Sequence, residues 1–420
     1  MGYFFFFVYL FFCGWLLTKM RFVRQSGLSN NRLLLLFGAK VAAGVVAGRV
    51  YQSQPESDTW KNHTQALEEY QLLFNSPKIY FSNLFYSGYG HGYSGFWQAS
   101  DSYWNDLKTN LLLKFISVLD IFSFGNYYIN VILFNTLVFC GVVLLYRMFC
   151  NLYPNAGWPA IVACFLLPST LFFTSMIHKD GFVFMALSVL CYCTHTWLQS
   201  GAAGIGKKIA VLLALAVMVV FRPYIVVALL PALLCWVVAV KYRHRPVPVF
   251  LIGFGLCAAL FFSSTYIKGM PGLPAAVVEK QKAFLALEKA NSYIGVPEVS
   301  ATVSSFITAA PVALGHTLLR PFFTDYQLSV LLLPFAVEWW VYLILLLAFV
   351  FFHKKQSGLQ HSYLVFAVAF TVTVLLIIGY TVPVLWAIIR YKTVLLPFML
   401  APVLLGIDWN KLLKLLMIKK

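Results

Sequence analysis

Apolar runs close to the length of a membrane-crossing helix recur along most of this chain, at 3–18, 33–50, 127–146, 158–176, 181–198, 209–221, 224–240, 247–266, 329–352, 362–380 and 393–407. Backbone groups in lipid must be satisfied within their own segment, and no alternating ten-residue pattern of a barrel is present. The expected fold is therefore all-α, a polytopic helical membrane protein of about 11 transmembrane helices. Two long polar breaks interrupt the apolar pattern. The first, 51–126, is a large outer loop in which 109–124 has apolar residues at helical spacing around Lys114 and Asp120, which suits a helix lying at the interface. The second outer loop, 267–328, is expected to hold a short helix around 275–291 and would suit a lid. The whole of 1–420 reads as a single membrane domain.

Composition agrees with this pattern: 61% of residues are hydrophobic and 11% are charged. The eight cysteines fall in or beside apolar runs without ligand spacing, so they read as small core residues. The net charge of +17 is explained by placement. Lys19, Arg21, Arg24 and Arg32, then Arg147, Lys207 and Lys208, Lys241, Arg243 and Arg245, Lys354 and Lys355, and the lysines of the tail fall on alternate junctions, which assigns those junctions to the inside. Nucleic acid is not needed to account for the charge. The first apolar run has its positive charge after it, which predicts a retained span with an outward amino end.

Outside lie the acidic loop, with Glu56, Asp58, Glu68, Glu69, Asp101 and Asp106, the turn His178-Lys179-Asp180, Arg222-Pro223, the loop with His316, Arg320 and Asp325, and the segment carrying Arg390 and Lys392. An unpaired cation in such apolar surroundings is penalised by desolvation, so each needs a partner. Asp58, Asp180, Asp325 and the intramembrane Glu338 are the internal candidates; an anionic ligand such as a phosphate at headgroup level is the external one, for which arginine supplies a planar fork of donors. Singly, Arg222 and Arg390 read equally well as helix-end anchors, and Lys40 and Glu338 as structural partners of other buried groups. His63, His91 and His316 have no ligand spacing among them, and no metal site bound by histidines is predicted.

An outer loop that opens on Glu56-Ser-Asp58-Thr and continues into an amphipathic helix, followed by many spans with outward Arg and Lys, resembles the GT-C superfamily of membrane glycosyltransferases, which includes protein O-mannosyltransferases and the lipid A aminoarabinose transferase. The segments 168–184, 221–224, 319–327 and 388–398 are also similar to bacterial multi-span proteins found with surface-polysaccharide genes. The resemblance implies transfer of a sugar from a polyprenyl-phosphate donor to a glycan or lipid acceptor at the periplasmic face of the bacterial inner membrane. Asp58, with Glu56 as the alternative, would be the base; Lys179, Arg222, Arg320 and Arg390, with His178, Asp180 and Glu338, would bind substrate and its phosphate. A divalent metal stays open. Against the resemblance, no clear second acidic pair of the family's kind is evident, and no soluble outer domain is expected after the last span. Two other readings stand: a polysaccharide polymerase or ligase that works through arginines without a carboxylate base, and a transporter or flippase of a lipid-linked anionic substrate.

Overall fold

A computed structural model describes residues 2–53, 57–98, 100–154, 156–202, 204–267 and 272–417. The described residues form helices joined by short turns, with no β-strand beyond isolated bridges. Among the described residues, seven helices are long and apolar enough to cross a membrane, or up to nine if each of two bent pairs is one span. Large apolar side chains stay uncovered along several of them: only 6% of the best window of Pro246–Tyr266 and 17% of that of Val330–Phe352 is buried within the protein. Such surfaces are untenable in water, and the chain is an integral membrane protein.

Two expected spans are broken. The run 158–176 divides into Gly157–Phe165 and Pro168–Ser175, because a proline disfavours helical backbone in the residue before it. Near the carboxyl end, Leu385–Thr393 and Leu396–Gly406 meet at 60°, with Pro397 at the start of the second helix. Arg390 and Lys392 were expected between spans; they lie on the first of these helices. The interfacial helix of the first outer loop runs Tyr103–Ser123, and the short helix of the second runs Leu273–Leu285.

The chain divides into two compact units. The first comprises residues 1–148, 170–195 and 203–222; in it the outer-loop helix Asp58–Asn75 packs along Tyr103–Ser123, and Phe182 contacts Phe115, Phe134 and Phe221. The second comprises 149–169, 196–202 and 223–420; its centre is the packing of Pro223–Lys241 on Gly358–Thr381, where Trp236 stacks on Phe366 at 5.0 Å.

Candidate functional site

In the first unit, side chains from three separate stretches of the chain, Asp58, His178 with Asp180, and Arg222, form one line of contacts. Asp58 opens the Asp58–Asn75 helix, where the positive end of the helix dipole favours a carboxylate, and its side chain is 54% exposed. His178 lies in the turn before Lys179–Ser200, and Asp180 lies in the first turn of that helix; both are buried. Arg222 follows Ile205–Phe221 outside helical geometry, just before Pro223. Its Nε and Nη2 donate to Asp180 Oδ1 at 3.2 and 2.5 Å. The other oxygen, Oδ2, lies 2.9 Å from His178 Nδ1. The Asp180 backbone N–H donates to the same Nδ1 at 3.4 Å. His178 Nε2 is thereby turned toward Asp58, 3.5 Å from Oδ2.

The turn that carries His178 is held from three helices. Lys40 Nζ donates to the Thr174 carbonyl and to the hydroxyls of Thr174 and Ser175 at 3.0–3.3 Å. Asn135 Nδ2 donates to the Ser175 carbonyl at 2.7 Å, and Thr59 Oγ1 to the Ile177 carbonyl at 3.2 Å. Beside Thr59, Trp60 stacks on Tyr127 at 4.4 Å and His63 meets the same ring edge-on. Burial there pushes the His63 imidazole down to about 4.

The second unit has its own polar cluster. Glu338 accepts from the Ser169 backbone N–H at 3.0 Å, from the Ser169 hydroxyl at 2.9 Å and from the Tyr342 hydroxyl. Buried Lys392 donates to the carbonyls of Thr317 and Arg320 at 3.1 and 2.5 Å, and its amine sits 3.5 Å from the centre of the Trp339 ring. Arg320 lies 3.4 Å from Asp325, and the Arg390 guanidinium lies over the Tyr391 ring.

No family model matches this sequence, and no curated protein or solved structure is similar to it.

Of the residues singled out by sequence, Asp58, His178, Asp180 and Arg222 are brought together, with half-buried Lys179 in the same turn. Glu56 lies outside the described residues. Arg320, Arg390 and Glu338 belong to the second unit. Among the described residues no three His, Cys, Asp or Glu side chains are grouped as a metal site. Sequence reasoning passed over Thr59, Asn135, Ser169 and the role of Lys392. Each is a common residue type whose only signal is a backbone carbonyl or N–H supplied from far along the chain.

Proposed function

We propose that this protein is a GT-C-like glycosyltransferase of the bacterial inner membrane. In this reading it takes a sugar from a polyprenyl-phosphate donor and transfers it to a glycan or lipid acceptor at the periplasmic face. An eleven-span path is part of the reading; it counts both bent pairs and the apolar helices Gly2–Lys19 and Ile205–Phe221 with the seven longer ones. The observation that carries the proposal is the exposed Asp58 carboxylate backed by a buried His178 that Asp180 orients.

In the reaction, Asp58 takes the proton of the acceptor hydroxyl while the oxygen of that hydroxyl bonds to the anomeric carbon. The bond from that carbon to the phosphate oxygen breaks, and the lipid phosphate leaves with the electron pair. A base within hydrogen-bond reach of the acceptor contributes about 10²–10⁴-fold. His178 stands behind Asp58 to take the proton on, and Asp180, itself held by Arg222, fixes the other edge of the imidazole. Lys179, in the same turn as His178, is the proposed ligand of the donor phosphate, whose charge it would stabilise as it develops.

The arginine-only polymerase reading gains less support, because the Arg222 guanidinium is held by Asp180. The test is transfer of a labelled sugar from a panel of polyprenyl-phosphate hexoses and pentoses to membrane acceptors by purified protein in liposomes. Asp58→Asn is expected to abolish transfer with donor affinity retained; transfer that survives the substitution overturns the base assignment.

A further inference from the structure

The outer loop between Pro77–Ser82 and Tyr103–Ser123 builds a platform of aromatic rings that the chemistry above does not use. Phe85 lies parallel to Tyr103, Tyr103 stacks on Phe96 at 5.1 Å, and Trp97 lies 4.1 Å from Trp104. Phe85, Phe96 and Trp97 are exposed, Trp97 to 60%. The loop is tied to itself by backbone bonds from Ser94 N–H to the Asp101 carbonyl at 2.8 Å, from Tyr103 N–H to Gly95 and from Trp104 N–H to Phe96. The rings are thus presented by a loop that is already closed, so ordering it costs little on binding.

Charge decides what such a surface fits. The chain carries a net +17, yet 79–107 contains no Lys or Arg; Asp101 and Asp106 are its carboxylates, and the His91 ring lies 2.9 Å from Asp101. Anchors to an anionic lipid surface are built from apolar residues with Lys and Arg, and this loop supplies only the first. Stacked rings beside carboxylates fit a neutral ligand with a flat C–H face and a rim of hydroxyls. The rings take the face, and the carboxylates accept from the hydroxyls. Tyr, Trp, Ser and Gly also dominate this stretch, a composition that serves recognition loops because large rigid rings give contact area at low entropic cost.

We propose that the Phe85–Trp97 platform binds a neutral glycan chain, which identifies the acceptor class of the transferase. The inference rests on the transferase reading for that role alone, since binding is measured without transfer. Saturation-transfer NMR on the purified protein, with neutral gluco-, manno- and galacto-oligosaccharides at millimolar concentration, reads it directly. Saturation is expected on the C–H protons of one ring face, and Phe96→Ala with Trp97→Ala weakens binding roughly three- to tenfold, the worth of an aromatic contact beyond its area. The altered rings are exposed, and an unchanged thermal midpoint confirms the fold of the variant; Asp101→Asn gives a smaller loss in the same direction. If none of the glycans binds, or if binding is the same in the ring variant, the proposal is overturned. Quenching of Trp97 by brominated lipid in nanodiscs, without glycan binding, would assign the platform to the bilayer surface instead. An inactive Asp58→Asn that still binds glycan leaves the platform standing, so the two readings fail separately.

Discussion

Thr59 Oγ1 lies 3.2 Å from the carbonyl oxygen of Ile177, which ties the residue after Asp58 to the residue before His178. The contact spans 118 positions of sequence and sets the distance between the exposed carboxylate and the imidazole. Thr59→Val keeps the shape but leaves that carbonyl unpaired. The expected loss of stability is about 1–3 kcal/mol. The transfer rate should fall more than donor affinity, because the base moves relative to its histidine. Thermal unfolding in detergent and the transfer assay together check this.

Arg222 and Asp180 are a buried pair, and removing one partner strands the other. Arg222→Met is expected to cost about 3–5 kcal/mol, whereas Arg222→Met combined with Asp180→Leu is expected to cost less than the single change. A double-mutant cycle on unfolding midpoints measures the coupling. Equal stability of Arg222→Met and the wild type would mean that Asp180 does not carry the guanidinium.

His63 makes folding sensitive to acid. Its folded pKa is lowered from 6.5 to about 4, so between these values the unfolded chain binds a proton that the folded chain refuses. Its contribution is complete above about pH 6.5 and is lost as pH falls toward 4. Unfolding midpoints recorded across that window should decline with acid in the wild type and decline less in His63→Gln, where the titrating ring is gone.

Gly44 lies four residues after Lys40, on the same helical face. A Cβ there would meet the Ser175 carbonyl oxygen at 2.6 Å and Val131 Cγ1 at 2.7 Å. Gly44→Ala should push away the segment that Lys40 and Asn135 hold, and cost about 1–3 kcal/mol. Gly38, with nothing within 4 Å, is the control: alanine there should be neutral or raise stability by up to about 1 kcal/mol.

Glu338 separates a structural role from a substrate role. Its carboxylate receives the backbone N–H and hydroxyl of Ser169 and the hydroxyl of Tyr342, and Gln offers one oxygen where the carboxylate has two. Glu338→Gln is expected to lower the unfolding midpoint while KM for the donor stays unchanged. A raised KM at an unchanged midpoint would instead place Glu338 at the substrate.

The apolar periodicity by itself determined that the chain is helical and membrane-embedded, because lipid leaves the backbone no other partner than its own helix. It also located the amphipathic outer-loop helix and raised Asp58, His178, Asp180 and Arg222 as candidates together with Glu56, Lys179, Arg320, Arg390 and Glu338, since a charge beside an apolar run is costly enough to stand out. What only the tertiary structure decided is who holds whom. Asp180 divides its two oxygens between Arg222 and His178, Glu338 receives Ser169 and Tyr342, and the carbonyls ahead of His178 are taken by Lys40, Asn135 and Thr59. Hydrogen bonds to main-chain atoms leave no mark in composition or spacing, because every residue carries the same carbonyl and only folding selects which side chain reaches it.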